Sequence, residues 1–363
     1  MRQAFATDVR LCKARNYPSR HVLSKGEVNM STDMRSSYIW RWFALSLAVV
    51  VNIAAFLPAN AADKVVMGWL PATDALPYFV AIEDKLFEKA GIEVVSQKFT
   101  SPTALVDAYV SNQIEVGPYG TAPGIALAAE AQNPGTLKLF GFSGGIADTD
   151  YVNSSLLVKK GSAIQKIADL KGKKIGHIPG IQWRTNTKYI LRNAGIDPDK
   201  DVVLAELALN VQIPAVVSGA VDALVAIEPI GSIAIAAGDV QPIVVNVGAK
   251  YVTNPWFGGG AVMTTKFIKE RPEVARKVML VLRDATDRIQ ANFDKYRPLL
   301  GKYVGVSEAS LPVVKKLVFR NERDVDEKDL RSEQNVLDML YKEKAIPVQL
   351  SIKDKFVRLE DIK

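Results

Sequence analysis

The sequence contains very little cysteine and histidine, with one Cys and two His in 363 residues. Cys12 and His21 both precede Ala61, so the chain beyond that residue has no thiol and a single imidazole, that of His177. Thiol catalysis, a metal site built from several histidines and a Ser-His-Asp site away from His177 are therefore disfavoured. We predict a protein that is not an enzyme and that has no catalytic residue, no metal and no cofactor.

An excess of charge is also missing once the N-terminal segment is set aside. Residues 1–61 hold eight of the 46 basic residues and three of the 39 acidic ones, which leaves 38 basic and 36 acidic residues. This near-neutral balance gives no indication of a nucleic-acid partner, and we predict none. The rest of the chain, roughly 300 residues without a disulfide, must be stabilised by a large core, and we expect two lobes.

The segment 34–61 has the three parts of a secretory signal peptide. Arg35 and Arg41 form its basic part, an apolar run follows over residues 42–57, and Ala59-Asn60-Ala61 fits the small-residue cleavage pattern. The apolar run is shorter than the roughly 20 residues that a membrane-spanning helix needs. We therefore predict a cleaved signal peptide rather than a membrane anchor.

Residues 1–33 have no periodic apolar pattern and would make an unusually long leader. We interpret them as an upstream extension and expect translation to start at Met34 or Met30. Cleavage after Ala61, give or take one residue, would release the chain into the periplasm. No Cys follows this site, so a lipoprotein anchor is not indicated.

Beyond the leader, short apolar strands alternate with amphipathic helices. Asp74, Ser101 and Thr121 are suited to capping three of these helices, the first of which is expected over residues 75–90. Repeated strand–loop–helix units of this size predict a parallel α/β sheet. In this first block the strands are predicted at 64–69, 92–95, 114–117 and 137–142.

A second block extends from about 153 to 247 and repeats the pattern. Its first strand, near 155–158, is expected to cross between the lobes, and residues 261–263 are expected to form the return crossing. The remainder is helical, with an apolar face that includes Val274 and Ile289. The predicted organisation is lobe 1 over 62–153, lobe 2 over 154–252, and a return to lobe 1 with C-terminal helices over 253–363.

The stretch 173–195 is the strongest candidate for part of a ligand site. A proline-glycine pair breaks a short apolar strand, and an amphipathic helix follows that Gly195 ends as a left-handed cap. Helix N-termini suit anions, and a guanidinium beside an indole suits a charged, planar ligand. The alternative is an ordinary turn with an exposed Arg and a packing Trp. The turn contains Gln182, Trp183, Arg184 and Thr185.

Four stretches resemble, in the same order, type II periplasmic substrate-binding proteins of ABC importers, most closely the nitrate, sulfonate and taurine group. One of them, KIADLKGKKIGHIPG, is similar to the recurrent entry into the second lobe of that family. The resemblance covers about residues 62–345. The four stretches are residues 68–94, 101–127, 166–180 and 214–229.

The resemblance implies the type II periplasmic-binding-protein fold, with two α/β lobes and a ligand cleft between them. It also implies a mechanism, in which lobe closure captures a small organic anion and the complex docks on an ABC permease. We predict a monomer that binds a sulfonate, a taurine-like compound or an aromatic carboxylate, and nitrate fits less well. The alternatives are a binder of a thiamine-precursor-type pyrimidine, a protein that signals to a membrane sensor, and a disfavoured enzyme of the same fold.

Ligands in open α/β sheets bind beyond the carboxyl ends of strands, and the family's ligand loops match such positions here. Where many members have small hydroxyl residues after Gly180, this chain has bulkier side chains, which points to a larger, more aromatic anion. For Asp74 a helix cap is an alternative role, for Glu228 a cap or hinge contact, and His177 is interpreted as a core histidine. The predicted ligand-binding residues are Thr73, Asp74, Tyr119, Thr121, Gln182, Trp183, Arg184, Thr185, Glu228 and Trp256.

Overall fold

The structure is a computed structural model that describes residues 62–363. The predicted upstream extension, signal peptide and cleavage site lie outside the described residues. No helix within 62–363 combines the length and the apolar character that crossing a membrane would require.

Eleven strands in the described part of the chain form two mixed sheets. The first sheet has the order β11-β4-β10-β3-β1-β2 and the second the order β7-β6-β8-β5-β9. The strands are β1 Asp63–Trp69, β2 Ile92–Lys98, β3 Val116–Thr121, β4 Leu137–Gly145, β5 Ser154–Lys159, β6 Lys174–His177, β7 Val203–Glu206, β8 Ala223–Ile227, β9 Val240–Val245, β10 Trp256–Thr264 and β11 Val318–Arg320.

The first sheet is not purely parallel, contrary to the prediction. Strands β1, β2 and β3 run parallel, but β10 pairs antiparallel with both β3 and β4, and β11 is antiparallel to β4. The alternation of strands and helices in the first block could not reveal a partner strand that arrives more than a hundred residues later. The sequence reading also missed β9 and β11.

Both predictions of crossing strands are wrong. Strand β5 pairs along its length with β8 and β9 of the second sheet, and β10 pairs with β3 and β4 of the first. Each of these two strands is therefore paired within a single sheet. The chain instead crosses between the sheets through residues 146–153 and 246–255.

Helices cover the faces of both sheets. Ser101 caps its helix as predicted, accepting a hydrogen bond from the N–H of Ala104, and Gly195 lies in the left-handed region with φ 79° just beyond the helix of the 173–195 stretch. The helices are α1 Leu76–Glu83, α2 Leu86–Lys89, α3 Pro102–Val110, α4 Pro123–Gln132, α5 Ile181–Asn193, α6 Gln212–Ser218, α7 Ile230–Ala237, α8 Val247–Tyr251, α9 Thr265–Glu270, α10 Pro272–Ala291, α11 Phe293–Tyr296, α12 Leu299–Val304, α13 Glu327–Lys342 and α14 Ile352–Lys355.

The helix predicted over 75–90 is broken into two. Lys85 adopts a left-handed conformation with φ 55°, and this separates α1 from α2. Phe79 of α1 and Leu86 of α2 are buried in the same core. The helical spacing of apolar residues therefore continues across the break, and this spacing predicted one continuous helix. The amphipathic face of α10 is confirmed, with Val274 and Ile289 both buried.

Candidate functional site

A small cavity lies between the two sheets, at the carboxyl ends of β1, β3 and β6. Its volume is about 20 Å³. A space of about 10–15 Å³ is enough for one water molecule, so the cavity holds about one water, and an organic solute could enter only if the lobes moved apart. The lining residues are Leu70, Ala72, Asp74, Pro102, Gly120, Ala122, Asn153, Ile178, Trp183, Leu209, Ile227 and Gly258. We call this space the cleft cavity.

Asp74 is the one ionisable side chain among the residues that line the cleft cavity. It lies in the 3₁₀ turn Thr73–Ala75, and its Oδ1 accepts a hydrogen bond from the hydroxyl of Ser143 at 2.6 Å. Burial raises the pKa of this carboxyl to about 6, and the hydrogen bond from Ser143 opposes the rise. A Cβ on Gly259 would lie 2.5 Å from Oδ1 of Asp74, so β10 can pass this carboxyl only as glycine.

The predicted alternative role of Asp74 as a helix cap is wrong. The residue at the N-cap of α1 is Ala75, and neither α1 nor the preceding turn has a side-chain cap. Thr121 does not cap α4 either, because Ala122 occupies the N-cap position. Both polar side chains have partners in the protein interior instead of the helix N-terminus.

Two buried polar side chains lack hydrogen-bond partners within residues 62–363: that of Asn153, which the sequence did not indicate, and that of Thr73, which was predicted to bind ligand but does not line the cleft cavity. Asn153 lines the cleft cavity, is 1% exposed, and has no hydrogen-bond partner for either side-chain amide atom among residues 62–363. The hydroxyl of Thr73 is also buried without a partner there. Buried polar groups are normally paired, so these atoms are available to a solute or to ordered water. The sequence feature that could have indicated Asn153 as a cleft residue is its position at the predicted boundary between lobe 1 and lobe 2.

Gln182 joins the two lobes through its side chain. Its Oε1 accepts a hydrogen bond from the N–H of Gly124 at 2.6 Å, and its Nε2 donates to the carbonyl oxygen of Phe257 at 3.5 Å. A Cβ on Gly124 would lie 2.8 Å from Oε1 of Gln182, so a side chain at position 124 would displace the Gln182 amide from this approach. Both polar atoms of the Gln182 side chain are therefore hydrogen-bonded to the protein when the lobes are closed. At the other end of α5, Arg192 forms an ion pair with Glu343.

Trp183 is the aromatic residue of the cleft cavity. Its ring is 3% exposed and meets the ring of Trp256 edge to face, with the centroids 5.1 Å apart. Trp256 lies behind Trp183 and does not line the cavity. The structure thus brings Asp74, Asn153 and Trp183 together, with Trp256 supporting the indole of Trp183.

Arg184 lies on the first turn of α5 and does not line the cleft cavity. Its side chain is exposed and forms no salt bridge with any residue in the described part of the chain, and its N–H donates to the carbonyl oxygen of Gly180. Thr185 is buried on the same turn and does not line the cavity. The structure therefore places the Arg184 side chain at the surface and outside the cleft cavity.

Tyr119 and Thr121 face the protein core. The hydroxyl of Tyr119 donates to the carbonyl oxygen of Arg320 at 3.2 Å, and its ring packs edge to face on Phe319. The hydroxyl of Thr121 lies 2.8 Å from that of Tyr109. The backbone of β3 reaches the cleft through Gly120 instead.

Glu228 lines a different, larger cavity. This cavity lies on the opposite side of the two segments that connect the lobes, residues 146–153 and 246–255, which we call the linkers. Its carboxyl is 1% exposed and accepts a hydrogen bond from the hydroxyl of Ser232. Burial raises the pKa of Glu228 to about 7. We call this second space the rear cavity; its volume is about 680 Å³.

His177 is a core histidine at the end of β6, as predicted. Its side chain is fully buried, its Nδ1 lies 2.8 Å from the carbonyl oxygen of Ile178, and burial lowers its pKa, so the ring is neutral at pH 7. Within residues 62–363 there is no group of three or more His, Cys, Asp or Glu side chains that could hold a metal.

Comparisons with known proteins identify the family and the fold of the chain. The sequence model of the NMT1-like family matches residues 59–298, which is more than half of the chain. The taurine-binding periplasmic protein of Escherichia coli is 30% identical over 151 residues, covering 40% of this chain and 42% of that protein. A 4-amino-5-hydroxymethyl-2-methylpyrimidine phosphate synthase of Saccharomyces cerevisiae is 23% identical over 242 residues, covering 63% of this chain and 68% of the enzyme.

Among solved structures, the alkanesulfonate-binding protein SsuA from Xanthomonas axonopodis pv. citri, bound to MOPS, has the same fold. The TM-score is 0.66 at 18% sequence identity, and the match covers 83% of this chain and 100% of that one. The predicted periplasmic-binding-protein fold, with two α/β lobes around a cleft, is therefore confirmed.

Proposed function

Because the chain belongs to the NMT1-like family, we propose that it is the solute-binding component of an ABC importer and captures a small organic acid by closure of its two lobes. The observation that carries this proposal is the cavity between two α/β lobes, lined from both sides and too small for an organic solute unless the lobes open. No covalent chemistry is required. We further propose that the protein acts in the periplasm as a monomer, after cleavage near Ala61, and delivers its solute to a membrane permease.

The chemistry of the cleft cavity favours a solute that carries an N–H donor besides an acid group. Asp74 can accept a hydrogen bond from such a donor, and the carboxyl is ionised above its pKa of about 6. No Lys, Arg or His is among the lining residues, so the interior offers no positive charge to a bare anion such as nitrate. A taurine-like amino sulfonate fits this arrangement better than a simple alkanesulfonate.

The acid group would then lie at the mouth of the cleft, near the first turn of α5. Backbone N–H groups and the positive end of the helix dipole favour an anion there. Arg184, on the same turn, supplies a guanidinium that is free of salt bridges within residues 62–363. Trp183, next to Arg184 in the chain, would pack against the body of the solute.

A pyrimidine is the second candidate ligand, and Asn153 favours it. An amide whose N–H and C=O are both unpaired matches the donor–acceptor edge of an aminopyrimidine, as Asn does when it pairs with adenine. Trp183 would offer its indole for stacking. One relative is an enzyme that makes such a pyrimidine, but the chain beyond Ala61 has no cysteine and a single histidine that is buried in the core.

A thermal-shift screen tests the proposal, with taurine, ethanesulfonate, nitrate and 4-aminopyrimidine as probes. A solute at about 100 times its dissociation constant should stabilise the protein by about 2.7 kcal/mol. We expect taurine to shift the melting temperature more than ethanesulfonate, which lacks the amine. Turnover of a substrate with no shift from any solute would contradict the transport function.

The Arg184→Gln variant tests the position of the acid group. It should weaken taurine binding about tenfold, because a charge-assisted hydrogen bond is lost, and leave the melting temperature of the solute-free protein nearly unchanged. Lys188→Gln, one turn further along α5, is the control for the affinity alone, because Lys188 pairs with Asp199. Unchanged affinity in Arg184→Gln would remove Arg184 from the site.

A further inference from the structure

The rear cavity has the size of a small-molecule site and walls from both lobes. Its volume of about 680 Å³ lies within the range of about 300 to 1,000 Å³ that is usual for ligand pockets. Glu228, Ser232 and Ala236 line it from the lobe of the second sheet. Arg297 and residues 312–316 line it from the lobe of the first sheet. A molecule in this cavity would contact both lobes at once.

The rear cavity and the cleft cavity lie back to back. Val152 lines the rear cavity and Asn153 the cleft cavity, and in the same way Glu228 faces the rear and Ile227 the cleft. The two segments are joined, since the N–H of Glu228 donates to the carbonyl oxygen of Asn153 at 2.9 Å. This common wall contains one of the two linkers. A lobe rotation about the wall that widens the cleft must therefore narrow the rear cavity.

The rim of the rear cavity is mainly positive. Lys315 and Lys316 are exposed and form no salt bridge with other residues of 62–363. Arg297 pairs with Asp294 at 2.7 Å but leaves its buried Nε–H without a partner in that range. The opposing carboxyls are those of Asp150, which is exposed, and Glu228, which is partly protonated near pH 7 because burial raises its pKa to about 7.

The remaining lining of the rear cavity is mainly apolar. This part would accommodate a hydrocarbon chain, while the rim would bind an anionic head group. The apolar lining residues are Val152, Ile235, Ala236, Pro242, Val245, Pro312, Val313 and Val314.

We propose that the rear cavity is an effector site for an amphipathic monocarboxylate and that its occupation stabilises the closed arrangement of the lobes. A molecule bound in the rear cavity opposes the lobe rotation that opens the cleft, because that rotation narrows the rear cavity. By linkage, it would also increase the affinity for the solute in the cleft. The coupling rests on the lobe closure proposed above, whereas binding at the rear cavity does not.

Calorimetric titration of the full chain with octanoate tests the site. Ala236→Trp adds an indole at an exposed position that lines the cavity, and we expect it to weaken octanoate binding at least about tenfold by filling the space. Ala237→Trp is the matched control, because Ala237 is exposed on the same helix and does not line the cavity. No saturable binding, or equal affinity in both variants, would overturn the proposal.

The charge preference is tested with two further probes and one variant. Octylamine and 1-octanol have the same chain length as octanoate, and both should bind more weakly. Replacing Lys315 and Lys316 together by Gln should weaken octanoate binding about threefold or more and leave 1-octanol binding unchanged. Equal binding of octanoate and octylamine would refute the anionic class.

The coupling is tested by small-angle scattering without any cleft solute. Octanoate should decrease the radius of gyration of the full chain. Ala236→Trp should decrease it in the absence of octanoate, because the indole fills the same space. An unchanged radius with saturated octanoate would refute the coupling. If octanoate binds and compacts the protein but no solute of the thermal-shift screen does, the proposed transport function fails while the effector site stands.

Discussion

Glu333 is a carboxyl in the apolar core, and its replacement should stabilise the protein in a pH-dependent way. It is fully buried on α13, on the same helix face as Val336, Leu337 and Leu340. Neither carboxyl oxygen has a hydrogen-bond partner within residues 62–363. Burial raises its pKa from 4.5 to about 8, so the carboxyl stays protonated in the folded protein at neutral pH.

The sign and the size of the effect follow from proton linkage. A carboxyl whose pKa is raised on folding favours the folded state at low pH, and this contribution is lost as pH rises from 4.5 toward 8. At about 1.4 kcal/mol per pKa unit, keeping Glu333 neutral costs about 1 kcal/mol at pH 5, about 3 kcal/mol at pH 7 and about 4 kcal/mol at pH 8. Glu333→Gln has a similar shape and does not titrate, so it removes this dependence.

Urea denaturation of the wild type and Glu333→Gln at pH 5, 6, 7 and 8 measures the effect. The free energy of unfolding of the variant, minus that of the wild type, should increase by about 3 kcal/mol between pH 5 and pH 8. Glu327→Gln is the matched control, because Glu327 is exposed on the same helix and should show a flat difference. A pH-independent difference for Glu333→Gln would show that the carboxyl is solvated or paired, contrary to the structure.

Two further predictions concern the cleft. In the wild type, the affinity for taurine should increase as pH rises through about 6, because Asp74 ionises there. In Asp74→Asn, the affinity measured by calorimetry should be weaker and independent of pH near 6. Equal pH profiles would exclude Asp74 from the site. Gln182→Met should leave the N–H of Gly124 unpaired, weaken taurine binding about tenfold and increase the radius of gyration of the solute-free protein. An unchanged radius would mean that Gln182 does not hold the lobes together.

Much of the fold was predictable from local patterns. The strands before α1, α3 and α5, the cap at Ser101 and the left-handed Gly195 all follow from neighbouring residues, because apolar periodicity and turn chemistry act over a few positions. The antiparallel strand β10 and the short β11 were not predictable in this way. Their partners lie far away in the chain, and their pairing depends on how the two lobes are completed.

The candidate site was predicted in outline and differs in detail. Asp74 and Trp183 lie at the cleft because each follows the carboxyl end of a strand, which the sequence pattern could indicate. Tyr119 also lies at such a strand end, but its backbone is left-handed there, with φ 68°, and its ring packs on Phe319 in the core. The sequence pattern can show that a residue lies at the end of a strand. Whether its side chain then faces the cleft or the core depends on the local backbone conformation.

By itself, the sequence determined the class of protein: beyond Ala61 the chain has no cysteine, is nearly neutral and alternates strands with helices, and four of its stretches are similar to periplasmic binding proteins. Only the tertiary structure decided that Gln182 bonds Gly124 across the lobes, that Glu333 is buried without a partner and that two cavities share one wall. The physical reason is distance along the chain. Composition and periodicity are local, whereas burial, pairing and cavity shape arise where residues that are far apart in sequence come into contact.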